Sequence, residues 1–261
     1  MSQSREHRPV ALVTGARQGI GRGIALELAR AGFRIVANDR VADRAMEETL
    51  ADIEQEEGAA KAVIGDISIV EGLDRLVESA WDCFGTIDCL VSNAGVSGCG
   101  QTDLLALTPD DYDRVTRVNS RGTFFLTQHV ARRMVEAPVP AGYRCIIFIS
   151  SANARQVSVN WADYCLSKSC LPMMAQLFAT RLAPHAIGVH EVRPGLIRTE
   201  MTAPGRDAFD ALIAGGVAPF RRWGTPRDVG VGVASLAAGA FPFSTGGVFD
   251  IDGGLHVNRL S

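Results

Sequence analysis

The sequence predicts an α/β protein with one domain, built on a doubly wound parallel sheet with helices on both faces. Short apolar runs alternate along the chain with longer segments whose apolar positions recur at helical spacing. Strands that alternate with helices in this way form parallel βαβ units, in which each helix crosses a face of the sheet. We count seven strands and at least six helices, with no internal repeat.

Length and composition agree with one domain and narrow the expected partners. The chain has 261 residues, of which 47% are hydrophobic, so residues 1–261 can form one domain with a well-buried core. A formal charge of −3 indicates neither a nucleic-acid-binding surface nor an acidic tail. Residues 1–9 lack the apolar centre of a signal peptide, and no later run reaches about 18 apolar residues. We therefore expect a cytoplasmic protein that binds small molecules and no membrane, with residues 1–8 disordered.

The six cysteines are spread through the chain without a CxxC pair. Zinc sites and disulfide frameworks both need closely spaced or numerous cysteines, so we expect reduced thiols and no metal site.

The first strand, residues 10–13, ends in a glycine-rich turn that opens a helix. Glycines at 15, 19 and 21 allow positive φ angles and let a phosphate approach backbone N–H groups at the helix N-terminus. A glycine triplet between a buried strand and an amphipathic helix is typical of dinucleotide binding. The predicted contacts in this turn are Gly15, Arg17, Gln18, Gly19, Ile20 and Gly21.

The second strand, residues 34–38, ends at Asp39, where a carboxylate can accept hydrogen bonds from an adenosine ribose. The alternative for Asp39 is the N-cap of a helix over residues 42–56. Asp39 would repel a 2′-phosphate and so favours NAD, and Gln18 offers that phosphate no charge. Arg17 and Arg40 oppose this argument, although strand alternation predicts that Arg40 faces the adenine or solvent.

Polar residues also follow the third and fourth strands, residues 61–64 and 89–91. Asp66, next to Ile67, can accept from an adenine amino group, and its alternative is an ordinary turn aspartate. A helix over residues 70–84 lies between these two strands. The fourth strand runs into Asn93, Ala94 and Gly95.

A long helix is predicted from Pro109 to about residue 136, capped by Thr108. It contains Asn119, which on its own reads as a solvent-facing residue without function. The strand over residues 145–149 then ends near Ser151, at the crevice where open α/β sheets bind ligands. The proline-rich stretch 137–144 before this strand is predicted as a surface loop.

Tyr164 and Lys168 are spaced to share one face of a helix that runs to about residue 182. An ammonium beside a phenol favours the phenolate and lowers its pKa, which makes the pair a candidate acid/base. Pro172, inside the same helix, cannot donate to the carbonyl of Lys168, so a kink is expected there.

The last strands are predicted at residues 187–192 and 248–251. The first of these leads into Pro194 and Gly195. Residues 199–220, rich in Gly, Pro and Ala, are predicted as a mobile loop that closes over a substrate. Thr225 caps a further helix.

These motifs together resemble the short-chain dehydrogenase/reductase family over about residues 9–257. The resemblance implies a Rossmann-type sheet of seven parallel strands, a nicotinamide cofactor and a homotetramer. It also implies a catalytic tetrad of Asn119, Ser151, Tyr164 and Lys168, in which Asn119 anchors a water of the proton relay. The further cofactor contacts it implies are Asp66, Ile67, Asn93, Ala94, Gly95, Pro194, Gly195, Ile197 and Thr199, together with Tyr164 and Lys168.

The similarity is strongest to the 3-oxoacyl-[acyl-carrier-protein] reductase-like branch, which also includes sugar, polyol and small-ketone dehydrogenases. The implied reaction is hydride transfer between NAD, or alternatively NADP, and a carbonyl or secondary alcohol. Ser97, Trp161, Met201 and Phe209 are candidates for the substrate pocket. A non-catalytic dinucleotide sensor or scaffold is the alternative from another class.

Overall fold

The computed structural model describes residues 8–98, 102–138 and 142–258. Its centre is a seven-stranded sheet in the order β3-β2-β1-β4-β5-β6-β7, in which every neighbouring pair is parallel. The strands are β1 (Val10–Thr14), β2 (Arg34–Asp39), β3 (Ala59–Ile64), β4 (Cys89–Ser92), β5 (Arg144–Ile149), β6 (Ile187–Pro194) and β7 (Gly247–Ile251). The predicted doubly wound fold is confirmed.

The helices cover both faces of this sheet. They are α1 (Gly19–Arg30), α2 (Arg44–Gln55), α3 (Leu73–Asp82), α4 (Pro109–Thr116), α5 (Thr123–Glu136), α6 (Ala162–Ser169), α7 (Leu171–Leu182), α8 (Arg206–Ala214) and α9 (Pro226–Ala237). Alternate residues of β1 enter different cores: Leu12 packs with residues of α3, α5 and α7, whereas Val13 packs with residues of α1 and α9. This two-sided burial explains why the strand is apolar throughout.

The direction of winding reverses between β1 and β4. Strands β2 and β3 extend the sheet on one side of β1, and β4 to β7 extend it on the other. In open parallel sheets the loops that leave two such central strands diverge and leave a crevice at their carboxyl ends. The glycine turn after β1 and the loop after β4 border that crevice.

The helix predicted over residues 110–136 is interrupted. Six residues, Arg117–Gly122, form a π-helical turn between α4 and α5. Gly122 lies so close to the loop after β3 that an added Cβ would be 2.5 Å from the carbonyl oxygen of Ile67. The wider turn, which contains Asn119, lies where the helix meets this loop, and the sequence pattern of apolar residues did not reveal it.

The helix predicted over residues 161–182 is also divided, at Cys170, between α6 and α7. The break lies two residues before Pro172, as the missing N–H predicts. The carbonyl that receives side-chain donors is that of Ser167, one residue before Lys168: Ser120 Oγ and Cys170 Sγ lie 3.2 and 3.0 Å from it.

Two other predicted segments differ from expectation. Residues 199–220 are not loop throughout, because they contain the turn Ala203–Gly205 and α8, whose Ile213 is buried. The proline-rich stretch 137–144 falls partly outside the described residues, while Arg144 begins β5 and is buried.

The cysteines in the described ranges are all free. Cys89 and Cys145 are partners on β4 and β5, with their sulfur atoms 3.6 Å apart, and Cys99 lies outside the described residues. Over the described ranges we find no helix with the length and apolar character needed to cross a bilayer. The cytoplasmic location stays a prediction.

Candidate active site

The glycine turn after β1 is shaped by backbone conformation and close approach. Gly15 and Gly19 have φ angles of +65° and +56°, in the left-handed region that disfavours other residues. A Cβ added to Gly21 would lie 2.0 Å from the carbonyl oxygen of Gly15. Helix α1 begins at Gly19 with N-terminal N–H groups available for an anion. The turn therefore fits the diphosphate of a dinucleotide.

Thr14 fastens the glycine turn to the loop after β4. Its hydroxyl oxygen accepts hydrogen bonds from the backbone N–H groups of Asn93 and Ala94, both at 3.0 Å. Asn93 Nδ2 donates to the Thr14 carbonyl at 2.8 Å. Asn93 thus has a structural role beside its predicted role in the site. Thr14 directly precedes the glycine motif in the sequence but was not among the predicted contacts.

Gly95 packs closely against two of the predicted catalytic residues. An added Cβ would lie 3.1 Å from Asn119 Oδ1, a tight contact, and 3.5 Å from Lys168 Nζ. The backbone of this loop therefore lies directly beside the predicted catalytic side chains, and together with the anion-binding turn after β1 the residues present fit a nicotinamide dinucleotide.

Asp39 and its surroundings form the ribose end of the cleft. Asp43, and not Asp39, caps α2, with Oδ1 accepting from the N–H groups of Ala45 and Met46. The capping alternative for Asp39 is therefore wrong, since the chain continues four residues beyond it before α2 starts. Arg17 donates from Nη1 to Asp43 Oδ2 at 2.7 Å, while its Nε lies 3.9 Å from Asp39 Oδ1.

Arg40 is exposed and lines both the main cleft and its extension toward Asp66. The expectation that Arg40 faces the adenine or solvent stays a prediction, but strand alternation does not support it, because β2 ends at Asp39. Asp66 lines this extension, and its Oδ1 accepts from the N–H of Ser68 at 2.8 Å in a turn, which is the alternative given for it; its contact with an adenine stays a prediction.

Tyr164 and Lys168 lie on α6 with the predicted helical spacing. Lys168 is buried, and its Nζ donates to the carbonyl of Ile149 at 3.0 Å and lies 5.7 Å from the centre of the Tyr164 ring. Trp161 packs edge-on against Tyr164, with ring centres 6.3 Å apart. Both reactive side chains are therefore held by α6, a strand end and an aromatic neighbour.

Burial dominates the electrostatics of this pair. It lowers the pKa of Lys168 to about 8, an effect opposed by the negative charge of Glu191. Burial also raises the pKa of Tyr164, and a hydrogen bond with Ser151 opposes the rise. The prediction that Lys168 would lower the pKa of Tyr164 is wrong for the protein without cofactor, because desolvation of the phenolate outweighs a charge held against Ile149. Tyr164 is accordingly protonated at neutral pH.

Asn119 is buried in the π-helical turn and is not the solvent-facing residue that its helix position suggested. Its Oδ1 accepts from the N–H of Val96 at 2.8 Å, and its Nδ2 donates to the Val96 carbonyl at 2.9 Å and to Ser167 Oγ at 3.0 Å. Both amide hydrogens are used, so the side chain joins the loop after β4 to α6.

Ser151 follows β5, where its hydroxyl accepts from the N–H of Asn153 at 3.1 Å. The preceding residue, Ser150, donates to the buried carboxylate of Glu191 on β6. Arg193 holds the same carboxylate through two nitrogens, at 3.0 and 2.9 Å. This buried ion pair below the site was not identified from sequence, because both charges lie within a strand of otherwise apolar character.

Two cavities meet at Tyr164 and Met201. The first is the cleft described above, with a volume of about 250 Å³. The second, of about 290 Å³, is lined by all four predicted pocket candidates. The first is lined by Gly15, Arg17, Gln18, Gly19, Ile20, Gly21, Asp39, Arg40, Asn93, Ala94, Gly95, Val96, Ile149, Ser150, Tyr164, Lys168, Thr199, Glu200 and Met201. The second is lined by Ser97, Ala152, Asn153, Gln156, Val157, Ser158, Trp161, Tyr164, Gly195, Leu196, Met201, Thr202, Phe209, Leu212, Val217 and Leu255.

Five of the predicted cofactor contacts do not line this cleft. Ile67 lines the extension beside Asp66, and Gly195 lines the second cavity. Pro194 ends β6 opposite Ile251, and the buried Ile197 packs under Gly224, away from the cleft. Of the two cofactor contacts predicted beyond Gly195, Thr199 lines the cleft and Ile197 does not.

A cleft walled by a glycine turn that shares a protonated tyrosine with a second, mainly apolar cavity indicates a nicotinamide-dependent oxidoreductase. Comparison with known proteins gives the family. The family model described as Enoyl-(Acyl carrier protein) reductase matches residues 15–256. The chain belongs to the short-chain dehydrogenase/reductase family, in its 3-oxoacyl-[acyl-carrier-protein] reductase-like branch.

Individual relatives cover nearly the whole chain. The crystal structure of 3-oxoacyl-[acyl-carrier protein] reductase from Brucella melitensis in complex with NAD has 44% sequence identity and a TM-score of 0.94, and the match covers 98% of this chain and 100% of that one. A putative NAD(P) dependent gluconate 5-dehydrogenase from Beutenbergia cavernae, with bound NADP, has 29% identity and a TM-score of 0.86, over 95% and 96% of the two chains. Tetrahydroxynaphthalene reductase of Pyricularia oryzae is 32% identical over 94% of this chain and 88% of its own length.

Proposed function

We propose that the protein interconverts a neutral ketone and the corresponding secondary alcohol, with Tyr164 as the acid and base. The observation that carries this proposal is the position of Tyr164, on the wall shared by the cofactor cleft and the second cavity. A bound nicotinamide supplies the hydride for reduction or accepts it in oxidation. The protein must then position the carbonyl and move one proton.

The proton chemistry falls to three side chains. Negative charge develops on the carbonyl oxygen during reduction, and the protonated Tyr164 can donate a proton to that oxygen. Ser151, whose side chain opposes the rise in the pKa of Tyr164, is proposed to polarise the same oxygen. Lys168 is proposed to favour deprotonation of Tyr164 once a ribose hydroxyl is available to hold its Nζ in the cleft.

Asn119 is proposed to support the site through position. Because both of its amide hydrogens bond to protein groups, a water of the proton relay cannot be held by them. A relay water would therefore have to donate its hydrogen bond to an oxygen atom. Backbone carbonyls of the π-helical turn are candidates, because such a turn changes the hydrogen-bond partners of its carbonyls.

The second cavity favours a neutral substrate with an apolar body. Its described lining includes Trp161 and Phe209, together with the amides of Asn153 and Gln156, and contains no charged side chain. Such a lining suits a 3-oxoacyl thioester or a ring ketone, as in the 3-oxoacyl-carrier-protein and tetrahydroxynaphthalene relatives, better than a sugar acid. Sugar, polyol and small-ketone substrates are the alternatives.

Residues 199–220 are proposed to close over the substrate. Met201 borders both cavities, and Phe209 on α8 borders the second. Movement of this one segment would therefore exclude water from cofactor and substrate together.

The test is a substrate panel with NADH and NADPH in the reductive direction, and with NAD+ and NADP+ for alcohols. The panel contains a 3-oxoacyl thioester, a bicyclic aromatic ketone, a small ketone, a polyol and a sugar acid. Turnover of a neutral ketone well above that of the sugar acid supports the proposal. Tight dinucleotide binding without turnover on the whole panel would instead favour a sensor or scaffold.

We propose NAD(H) as the preferred cofactor, because Asp39 would bond a ribose 2′-hydroxyl and repel a 2′-phosphate. We expect kcat/KM with NADH to exceed that with NADPH, and the Asp39→Ala variant to narrow the difference. Both values are measured with one substrate at low salt, where screening is weakest. A higher kcat/KM for wild-type enzyme with NADPH would reverse the assignment.

We propose a homotetramer, supported by exposed apolar side chains. Leu166, Met173 and Leu177 are exposed on α6 and α7, while Phe243 and Val248 are exposed at and before β7. Exposed apolar side chains of this kind are typical of surfaces that pair across two-fold axes. Sedimentation at micromolar protein is expected to give four times the chain mass of 27.9 kDa, and a 27.9 kDa species would contradict the assembly.

A further inference from the structure

The ribose end of the cleft contains an arginine held between two aspartates. Arg17 Nη1 donates to Asp43 Oδ2 at 2.7 Å, and Arg17 Nε lies 3.9 Å from Asp39 Oδ1 without a hydrogen-bond partner among the described residues. Thr49 Oγ1 donates to the Arg17 carbonyl at 3.0 Å, which fixes the glycine turn against α2. Arg17 and Asp39 both line the cleft, whereas Asp43 does not.

An unpaired arginine at this position would offer charge-assisted hydrogen bonds to a 2′-phosphate on the neighbouring ribose. The contact with Asp43 instead occupies a terminal nitrogen of the guanidinium and cancels its charge. The formal charge of the ribose end is zero, because it contains two aspartates and two arginines: Asp39, Asp43, Arg17 and Arg40. The ribose end as a whole therefore offers no net attraction to an added phosphate.

We propose that Asp43 is a positioning residue that disfavours 2′-phosphorylated cofactors by pairing with Arg17 and neutralising its charge. The inference rests on the proposed nicotinamide function and adds a second discriminating carboxylate to Asp39. Asp43 lies outside the cleft and acts through Arg17, which lines it. Asp43 is also the N-cap of α2, and this structural role hides the electrostatic one when only the sequence is considered.

The Asp43→Asn variant separates the two roles. Asparagine is as good an N-cap as aspartate, so the hydrogen bonds to Ala45 and Met46 can be kept while the charge is removed. The charge of the ribose end then rises from zero to +1. We expect the ratio of the dissociation constants of NADP+ and NAD+, measured by calorimetry on the protein without cofactor, to fall about tenfold at low salt. Asp43→Ser, which also caps, provides a second variant.

Asp52→Asn is the matched control. Asp52 also lies on α2 and is paired with an arginine of α1, Arg22, but neither residue lines the cleft. This variant changes the net charge of the protein by the same amount and is expected to leave the ratio unchanged. In an Arg17→Gln background, Asp43→Asn is expected to lose its effect, because the charge that it releases is absent.

Three results would overturn the proposal: a ratio within twofold of wild type in both Asp43 variants, an equal shift in Asp52→Asn, or a shift that persists without Arg17. Failure of the proposed function looks different. The proposed function would fail if no substrate were turned over, and the proposed cofactor preference would fail if the wild-type enzyme preferred NADP+. In either case the ratio of dissociation constants could still be measured, and it would still decide the role of Asp43.

Discussion

Replacing Tyr164 by phenylalanine is expected to lower kcat by about 10²- to 10⁴-fold, the range contributed by a positioned general acid. The ring and its edge-on packing against Trp161 are kept, so the loss is confined to the hydroxyl that carries the proton. Cofactor affinity is expected to change little, and the loss should appear in kcat with a nearly constant dissociation constant for the dinucleotide.

Tyr112→Phe supplies the control for this variant. Tyr112 lies on α4, is 40% exposed and borders neither of the two cavities of the site. It is expected to keep wild-type kcat, which shows that the loss of a phenol as such is harmless. Near-native turnover in Tyr164→Phe, measured with the best ketone of the panel, would assign the proton transfer to another group.

Replacing Arg193 by methionine is expected to lower the free energy of unfolding by about 3–5 kcal/mol. Arg193 and Glu191 are both nearly inaccessible, at 3% and 0% exposure, so the carboxylate of Glu191 would be left without its guanidinium partner inside the protein. Removal of one partner of a buried pair leaves an uncompensated charge, which costs far more than the net value of the pair. Urea unfolding measured by circular dichroism gives the quantity directly.

The double variant Glu191→Met/Arg193→Met distinguishes charge from packing. If the isolated carboxylate causes the loss, removing it as well should restore most of the stability. Arg222→Met breaks an exposed ion pair with Asp228 and is expected to have a much smaller effect. An Arg193→Met protein as stable as wild type would mean that Glu191 is accommodated without its partner.

The fold was predictable because each element has a local signature. The seven apolar strands, the glycine turn after β1 and the helical spacing of Tyr164 and Lys168 all depend on near neighbours in sequence. The residues that these signatures marked at strand ends lie at the crevice, because parallel strands direct their carboxyl ends to one edge.

Features that depend on distant contacts were not predictable. The π-helical turn around Asn119 lies where the close packing of Gly122 on the loop after β3 can be seen only in three dimensions. The pairing of Arg17 with Asp43 requires the glycine turn and α2 to dock. The raised pKa of Tyr164 comes from desolvation by residues distant in sequence, whereas spacing alone suggested only the charge of Lys168.

The strand order has a consequence for how the chain can assemble. Starting from β1, each later strand in sequence joins an outer edge that already exists: β2 and β3 on one side, then β4 to β7 on the other. No strand has to be inserted between two that are already paired. A chain emerging from its N-terminus can therefore complete the nucleotide-binding half of the sheet by Ser92, and later strands extend this template without dismantling it.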